Sequence, residues 1–285
     1  MIDPDRTTTA SASAPAGVLP RAQHSRSLFL SDLHLGAKSA RPAMVLDFLR
    51  RNTADTIYLV GDIFDTWAPM KPNWTPAHDA VVQTLLDRAQ NGTRVIYLPG
   101  NHDTMFRQYC GLYFGIVEVS EQVVHITASG QQLLVLHGDV ADSIFKRYQW
   151  IGRLGAALDS QLRRVEILIN RVRARRDLPP RNAISHAIAR FNALIRMGNR
   201  FEARLVDMAR DRGHDGVVCG HFHKPALHQK FGLVYANCGD WVENFTALAE
   251  DMEGNLLLLG TASCVKRIAR PALAGSADDA VSVHS

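Results

Sequence analysis

The sequence predicts an α/β fold of strand and helix layers, and three observations predict it. Short apolar runs rich in β-branched and aromatic residues recur along the chain. Helical periodicities separate the first three runs, and polar residues with glycine follow five of the runs at once. The first run covers residues 27–30. A helical face of Ala43, Val45, Leu46 and Leu49 comes next, then a second run, Thr56-Ile57-Tyr58-Leu59-Val60. Val81, Val82, Leu85, Leu86 and Ala89 give another helical face, and Gly92 sits where a residue past a helix C-terminus belongs. Further strand signals lie at 94–98, 132–136, 217–219 and 233–236. The stretch 245–259 reads as additional strands around a turn at Glu253-Gly254-Asn255.

The rhythm breaks at 141–212. Apart from Leu178-Pro179-Pro180 this stretch reads as helix, with Leu158, Leu162, Val165, Ile169 and Val172 near helical spacing and arginines on the other faces. It is expected to be a helical insertion between two strands of the main sheet. At 285 residues, 46% hydrophobic and 21% charged, the chain has the composition of an ordinary globular protein. One domain over 26–271 is expected, with a disordered extension at 1–25, rich in Thr, Ser, Ala and Pro, and a disordered tail at 272–285. No apolar run reaches the roughly 18 residues of a membrane span, and the N-terminus lacks the pattern of a secretory signal. Cys110, Cys219, Cys238 and Cys264 show no CxxC spacing, which fits a reducing compartment and cysteines used as small buried hydrophobes. The net charge of +4 is unevenly spread: Lys146 to Arg212 holds 16 of the 32 Lys and Arg against six acids. That segment is about +10 and the remainder about −6, so an anionic partner is expected for it.

The chemistry-bearing residues sit at strand ends. After 27–30 comes Ser31-Asp32-Leu33-His34-Leu35-Gly36, and after Val60 comes Gly61-Asp62-Ile63-Phe64-Asp65. After 94–98 comes Pro99-Gly100-Asn101-His102-Asp103, after 132–136 His137-Gly138-Asp139, and after 217–219 Gly220-His221-Phe222-His223. In open α/β sheets ligands bind beyond the carboxyl ends of the strands. Asp, His and Asn without thiolates are donors for Mn²⁺, Fe or Zn²⁺ rather than a Cys-type structural zinc. The i, i+2 spacing of Asp32/His34 and His221/His223 would point both members of each pair one way in extended backbone. A lone Gly-Asp or His-Gly after a strand is ordinarily a turn, and a lone histidine there is ordinarily structural. Five such pieces at five strand ends are not explained as turns. Asp65 reads as a structural acid beside the site, and His78, His125, His186, His214 and His228 have no motif context.

In that order, Asp-x-His, Gly-Asp-x-x-Asp, Gly-Asn-His-Asp, His-Gly-Asp and Gly-His-x-His resemble the calcineurin-like metallophosphoesterase superfamily over about residues 27–260. The resemblance implies a four-layer sandwich, two β-sheets flanked by helices, and two divalent ions, Mn²⁺ first among the metals the donors suit. It implies that Asp32, His34 and His223 hold one ion and that Asn101, His137 and His221 hold the other, with Asp62 bridging. His102, backed by Asp103, matches the family's histidine at the phosphoryl group. Within the superfamily, Ser31 to Gly36, Tyr58 to Trp67, His137 to Asp139 and the length of the insertion are similar to the UDP-2,3-diacylglucosamine hydrolases. That family implies release of UMP from a nucleotide-linked lipid in lipid A synthesis, at the cytoplasmic face of the inner membrane, under a helical lid. Arg163, Arg164, Arg171 and Phe191 are the lid residues expected to meet the substrate. A membrane surface is the expected partner. Nucleic acid is not, because Phe191 and Phe201 are few aromatics among so many arginines. The family's best-known members carry Arg where this chain has His102, which leaves open a phosphoesterase acting on another lipid phosphate, nucleotide or nucleic acid end.

Overall fold

The computed structural model describes residues 23–67, 69–141, 198–260 and 264–268. Three mutually parallel strands, β1 (Gln23–Leu30), β2 (Asn52–Val60) and β3 (Arg94–Leu98), form the middle of an eight-stranded sheet. Beyond β3 the sheet continues through β5 (Val117–Val119) to a short edge strand, β4 (Tyr113–Phe114). On the other side of β1 lie the antiparallel strands β11 (Thr246–Glu250), β12 (Leu256–Gly260) and β13 (Cys264–Ile268). A second sheet of five strands runs β6 (Gln122–Ile126), β7 (Gln132–Leu136), β8 (Gly216–Cys219), β10 (Val234–Asn237) and β9 (Ala226–His228). Three α-helices are present among the described residues: α1 (Pro42–Arg51), α2 (Pro76–Gln90) and α3 (Gly198–Asp211).

Alternation along the strands builds the layers. Leu28, Leu30, Ile57, Leu59, Val95 and Tyr97 face α1 and α2, packing with Val45, Phe48, Leu49, Val81 and Leu85. The intervening residues Phe29, Tyr58, Val60, Ile96 and Leu98 face the second sheet and meet Leu133, Val135, Val218, Val234 and Ala236. On the far side of that sheet Leu134, Leu136, Val217, Cys219 and Tyr235 pack on Phe201, Leu205, Val206 and Ala209 of α3. The order is helix, sheet, sheet, helix. Strands buried on both faces read as unbroken apolar runs, and this makes the strands legible in the sequence, while the four-layer sandwich matches what the family resemblance implies.

Two expectations about boundaries change. The extension predicted over 1–25 gives way to sheet earlier, because Gln23, His24 and Ser25 pair with Asn52, Thr53 and Ala54. The last part of the predicted lid, α3, is the fourth layer of the body, anchored by an apolar face buried on the second sheet. Its Arg204 donates from Nη1 to the Ala141 carbonyl at 3.2 Å, tying the middle of the helix to the 3-10 turn Asp139–Ala141. The rest of the predicted insertion and the tail at 272–285 lie outside the described residues. Away from the strand ends already noted, His125 bridges Tyr58 (2.9 Å) and Glu250 (2.8 Å) between the sheets, and Arg26 closes the network on Glu250 at 2.9 Å.

Phe29 stacks on Tyr58 at 4.6 Å and meets the edge of His125 in the layer between the sheets. Phe29→Ala should therefore cost about 3–5 kcal/mol of unfolding free energy. Urea denaturation measures this, and a loss under about 1 kcal/mol would mean the inter-sheet layer does not hold the sandwich together.

Candidate metal centre

The carboxyl ends of β1, β2, β3, β7 and β8 converge, and the backbone there is unusual. Asp32, His34, Asp62, His221 and His223 have φ of 55°, 47°, 52°, 69° and 51°. This corrects the extended geometry expected for the i, i+2 pairs: both members of each pair are left-handed, with Asp32 and His34 meeting in one cluster and His221 and His223 dividing between two. Left-handed backbone in non-glycine residues costs about 1–3 kcal/mol each and survives where surrounding bonds impose it. Here the loops strap one another, Asp32 N–H to Gly61 O (3.0 Å), His34 N–H to Asp62 O (2.9 Å) and Trp241 N–H to Asp32 O (3.1 Å). The loops approach so closely that a Cβ on Gly100 would strike the Asp62 carboxylate and lie 2.7 Å from both Asp62 N and His137 Cδ2.

Two clusters result. In the first, Asp32 Oδ1 lies 3.1 Å from His223 Nε2 and 3.8 Å from His34 Nε2, and the two imidazole nitrogens are 3.2 Å apart. Asp32 Oδ2 accepts the His221 backbone N–H at 3.0 Å and the Ser31 hydroxyl. In the second, His137 Nε2 lies 3.3 Å from Asp62 Oδ2 and 3.2 Å from Asn101 Oδ1, and His221 completes the group. His137 Nδ1–H donates to Val60 O at 2.9 Å, which turns Nε2 toward the site. The ligand atoms of Asp32, His34 and His223 all lie within 4.8 Å of one another, as do those of Asp62, His137 and His221. Asp62 groups with the second cluster.

The donors fit a divalent cation. Asp32 Oδ1 is fully buried and receives no aligned hydrogen bond despite its histidine neighbours, an arrangement that a cation satisfies and an uncharged cavity does not. The electrostatics agree. Burial alone would raise Asp32 and Asp62, but the imidazoles beside them, His223 and His137 respectively, outweigh it and hold Asp32 low and Asp62 well below the carboxylate range. Burial would lower the histidines, yet Asp32 lifts His223 to about 9 and Asp62 lifts His137 well above its ordinary value. His34, buried and beside His102, drops to about 4.

His102 sits at the rim of both clusters, with Nε2 4.0 Å from Asp62 Oδ2. The structure corrects its expected partner. Asp103 turns away and accepts Ile63 N–H (2.8 Å), Gly100 N–H (2.5 Å) and Tyr97 O–H (2.5 Å). Burial, then Asp62, pushes its carboxyl up to about 6. Asp65 takes the role instead, with Oδ1 3.2 Å from His102 Nδ1. Burial opposes both charges of that pair, but the pairing holds Asp65 below its ordinary value, and Asp62 and Asp65 hold His102 above its own. Asp65 lies three residues past Asp62, and that spacing was its only signal.

Several supporting residues carry no motif of their own. Trp67 stacks on His102, Asn237 holds the Gly220 carbonyl at 2.8 Å, and Asp240 caps the turn that places Trp241. The loop at Asn73-Trp74 packs on the body: Asn73 Nδ2 bonds Gly36 O at 3.1 Å and Trp74 stacks near Phe64 and His78. Arg163, Arg164, Arg171 and Phe191 lie outside the described residues.

A sandwich with these strand-end clusters defines a class. The chain belongs to the calcineurin-like phosphoesterase family, whose model matches residues 25–225, and it is a hydrolase. Among characterised relatives, the UDP-2,3-diacylglucosamine hydrolase of Xanthomonas campestris pv. campestris (strain B100) is 31% identical over 250 residues, 80% of this chain and 96% of the relative. The protein of that name from Photorhabdus laumondii subsp. laumondii is 30% identical over 216 residues, 71% of this chain and 83% of the relative. A solved archaeal phosphodiesterase is 11% identical with a TM-score of 0.42, over 82% of this chain and 98% of its own. Membership of the family implies divalent metal ions. No helix among the described residues is long and apolar enough to cross a membrane.

Metal loading should depend on pH with a definite sign. A cation that takes the Nε2 lone pair of His223 displaces the proton that this ring, at about 9, holds at neutral pH. Affinity for Mn²⁺ should therefore rise about tenfold per pH unit per proton displaced, and flatten above about pH 9. Isothermal titration across that range reads it, and a flat profile would mean that the imidazoles carry no displaceable proton.

Proposed function

We propose that this chain is a dinuclear metallohydrolase that cleaves the pyrophosphate bond of UDP-2,3-diacylglucosamine, releasing UMP and a lipid sugar monophosphate. The observation that carries the reading is the pair of clusters at the strand ends with His102 at their common rim, together with relatives named for that reaction over most of this chain. Asp32, His34 and His223 would hold one ion, Asn101, His137 and His221 the other, and Asp62 would bridge. Two divalent cations, with Mn²⁺ proposed, supply a water of lowered pKa and positive charge for an in-line displacement at phosphorus.

The remaining work falls to the chain's own groups. Val60 O fixes the His137 tautomer. Asp65 holds His102 Nδ1, so His102 Nε2–H is the donor free to meet a phosphoryl or leaving oxygen. The arginines between Lys146 and Arg212 would meet the anionic headgroup and the inner membrane surface, in a chain acting peripherally at the cytoplasmic face.

One residue favours a second reading. His102 stands where the best-known diacylglucosamine hydrolases carry arginine, and a single imidazole gives up the paired donors that grip a phosphate. On that reading the same centre serves another phosphoester.

Product analysis separates the two. The Mn²⁺-loaded protein is offered UDP-2,3-diacylglucosamine beside a generic phosphodiester; UMP release far above generic turnover supports the first reading, and generic turnover without lipid cleavage supports the second. His102→Ala should lower the rate about 10²–10⁴-fold while leaving metal content nearly intact. Loss of both metals in that variant would make His102 a ligand instead.

A further inference from the structure

We propose that Trp67 is a positioning residue that fixes the His102 imidazole in its working orientation. The inference rests on the reading that His102 faces the phosphoryl group. The indole lies flat on the imidazole, with ring centroids 3.6 Å apart and planes 16° from parallel. Trp67 Nε1–H donates to Asn101 O at 2.8 Å, the carbonyl that immediately precedes His102. The backbone N–H of Trp67 reaches Asp65 Oδ1 at 3.2 Å, the same oxygen that lies 3.2 Å from His102 Nδ1. Between them Thr66 donates from both N–H (3.1 Å) and Oγ1 (2.5 Å) to His102 O.

Asp65, Thr66 and Trp67 thus clasp His102 by its backbone, its Nδ1 and one face. The edge of the His34 pair closes another side, 4.6 Å away at 89°. The nitrogen left to act is Nε2, 4.0 Å from Asp62 Oδ2. The second side-chain torsion of histidine has a broad, shallow well, so neither the backbone bonds nor a single contact at Nδ1 fixes the plane of the ring. The indole face does. Arginine carries a rigid fork of donors, whereas imidazole offers one in a single direction. A histidine at this position therefore depends more heavily on a neighbour that sets its aim.

The test uses the full, Mn²⁺-loaded chain and a chromogenic phosphodiester, with Trp67→Ala and Trp67→Phe made alone and in a His102→Ala background. Trp67→Ala should lower kcat about 10–100-fold, the scale of a misaimed catalytic group, with KM and metal content unchanged. Trp67→Phe keeps a ring face and should recover most of the rate. In the His102→Ala background Trp67→Ala should cause no further loss. An unchanged kcat, loss of metal, or an equal loss in both backgrounds would overturn the proposal. NMR of the His102 ring protons in the full chain loaded with diamagnetic Zn²⁺ gives a readout independent of turnover: an upfield ring-current shift in the unaltered protein that Trp67→Ala abolishes. Absence of that shift overturns the clasp itself, whereas a shift without any ester turnover overturns the phosphoesterase reading on which the proposed role rests.

Discussion

Two carboxylates taken out of water govern this structure. Asp32 is fully buried and Asp62 nearly so, and an uncompensated buried carboxylate costs several kcal/mol. Compensation comes from both sheets at once. His34 and the His102 backbone N–H arrive from the first sheet; His137, His223 and the His221 N–H arrive from the second. Neither sheet alone could neutralise the pair. The apolar layer between the sheets and the charged cluster at their edge are therefore coupled: packing brings the imidazoles to the acids, and the acids give the packed edge its reason to carry imidazoles.

The strain at the strand ends follows from the same requirement. A strand that continued in extended backbone would point Asp32 and His34 one way but carry both onward along the strand axis. Left-handed residues re-aim them, and the cross-loop bonds from Asp32 N–H and His34 N–H to Gly61 and Asp62 carbonyls hold that shape. Backbone strain here lies at the residues with chemistry to perform, and bonds from neighbouring strand ends sustain it.

The fold was legible because its central strands are buried on both faces: 57–60, 95–98 and 133–136 are unbroken apolar runs. What was not legible shares the opposite character. β6 has only His125 buried along Gln122–Ile126, and β4, β5 and β9 are two or three residues long, so they carry too little pattern to read. The residues gathered at the two clusters were visible as motifs, but their left-handed geometry was not, since spacing is blind to φ. Asp103 was assigned to His102 because it is next in sequence; in space its carboxylate serves Ile63, Gly100 and Tyr97, and Asp65 does the pairing. α3 was read as lid because its arginines match those before it, while its buried stripe of Phe201, Leu205, Val206 and Ala209 belongs to the body.

The tie between Arg204 and the Ala141 carbonyl has a further consequence. The described chain stops at Ala141, just past His137, and resumes with α3, where Phe201 packs 3.7 Å from the ring of Phe222, between His221 and His223 in sequence. Arg204 and Phe201 thus fasten the first half of α3 to the body. Such a joint works as a cassette port: the intervening stretch can lengthen, shorten or be replaced over evolutionary time without moving a ligand. Substrate range on this scaffold can then diverge while the reaction chemistry stays constant.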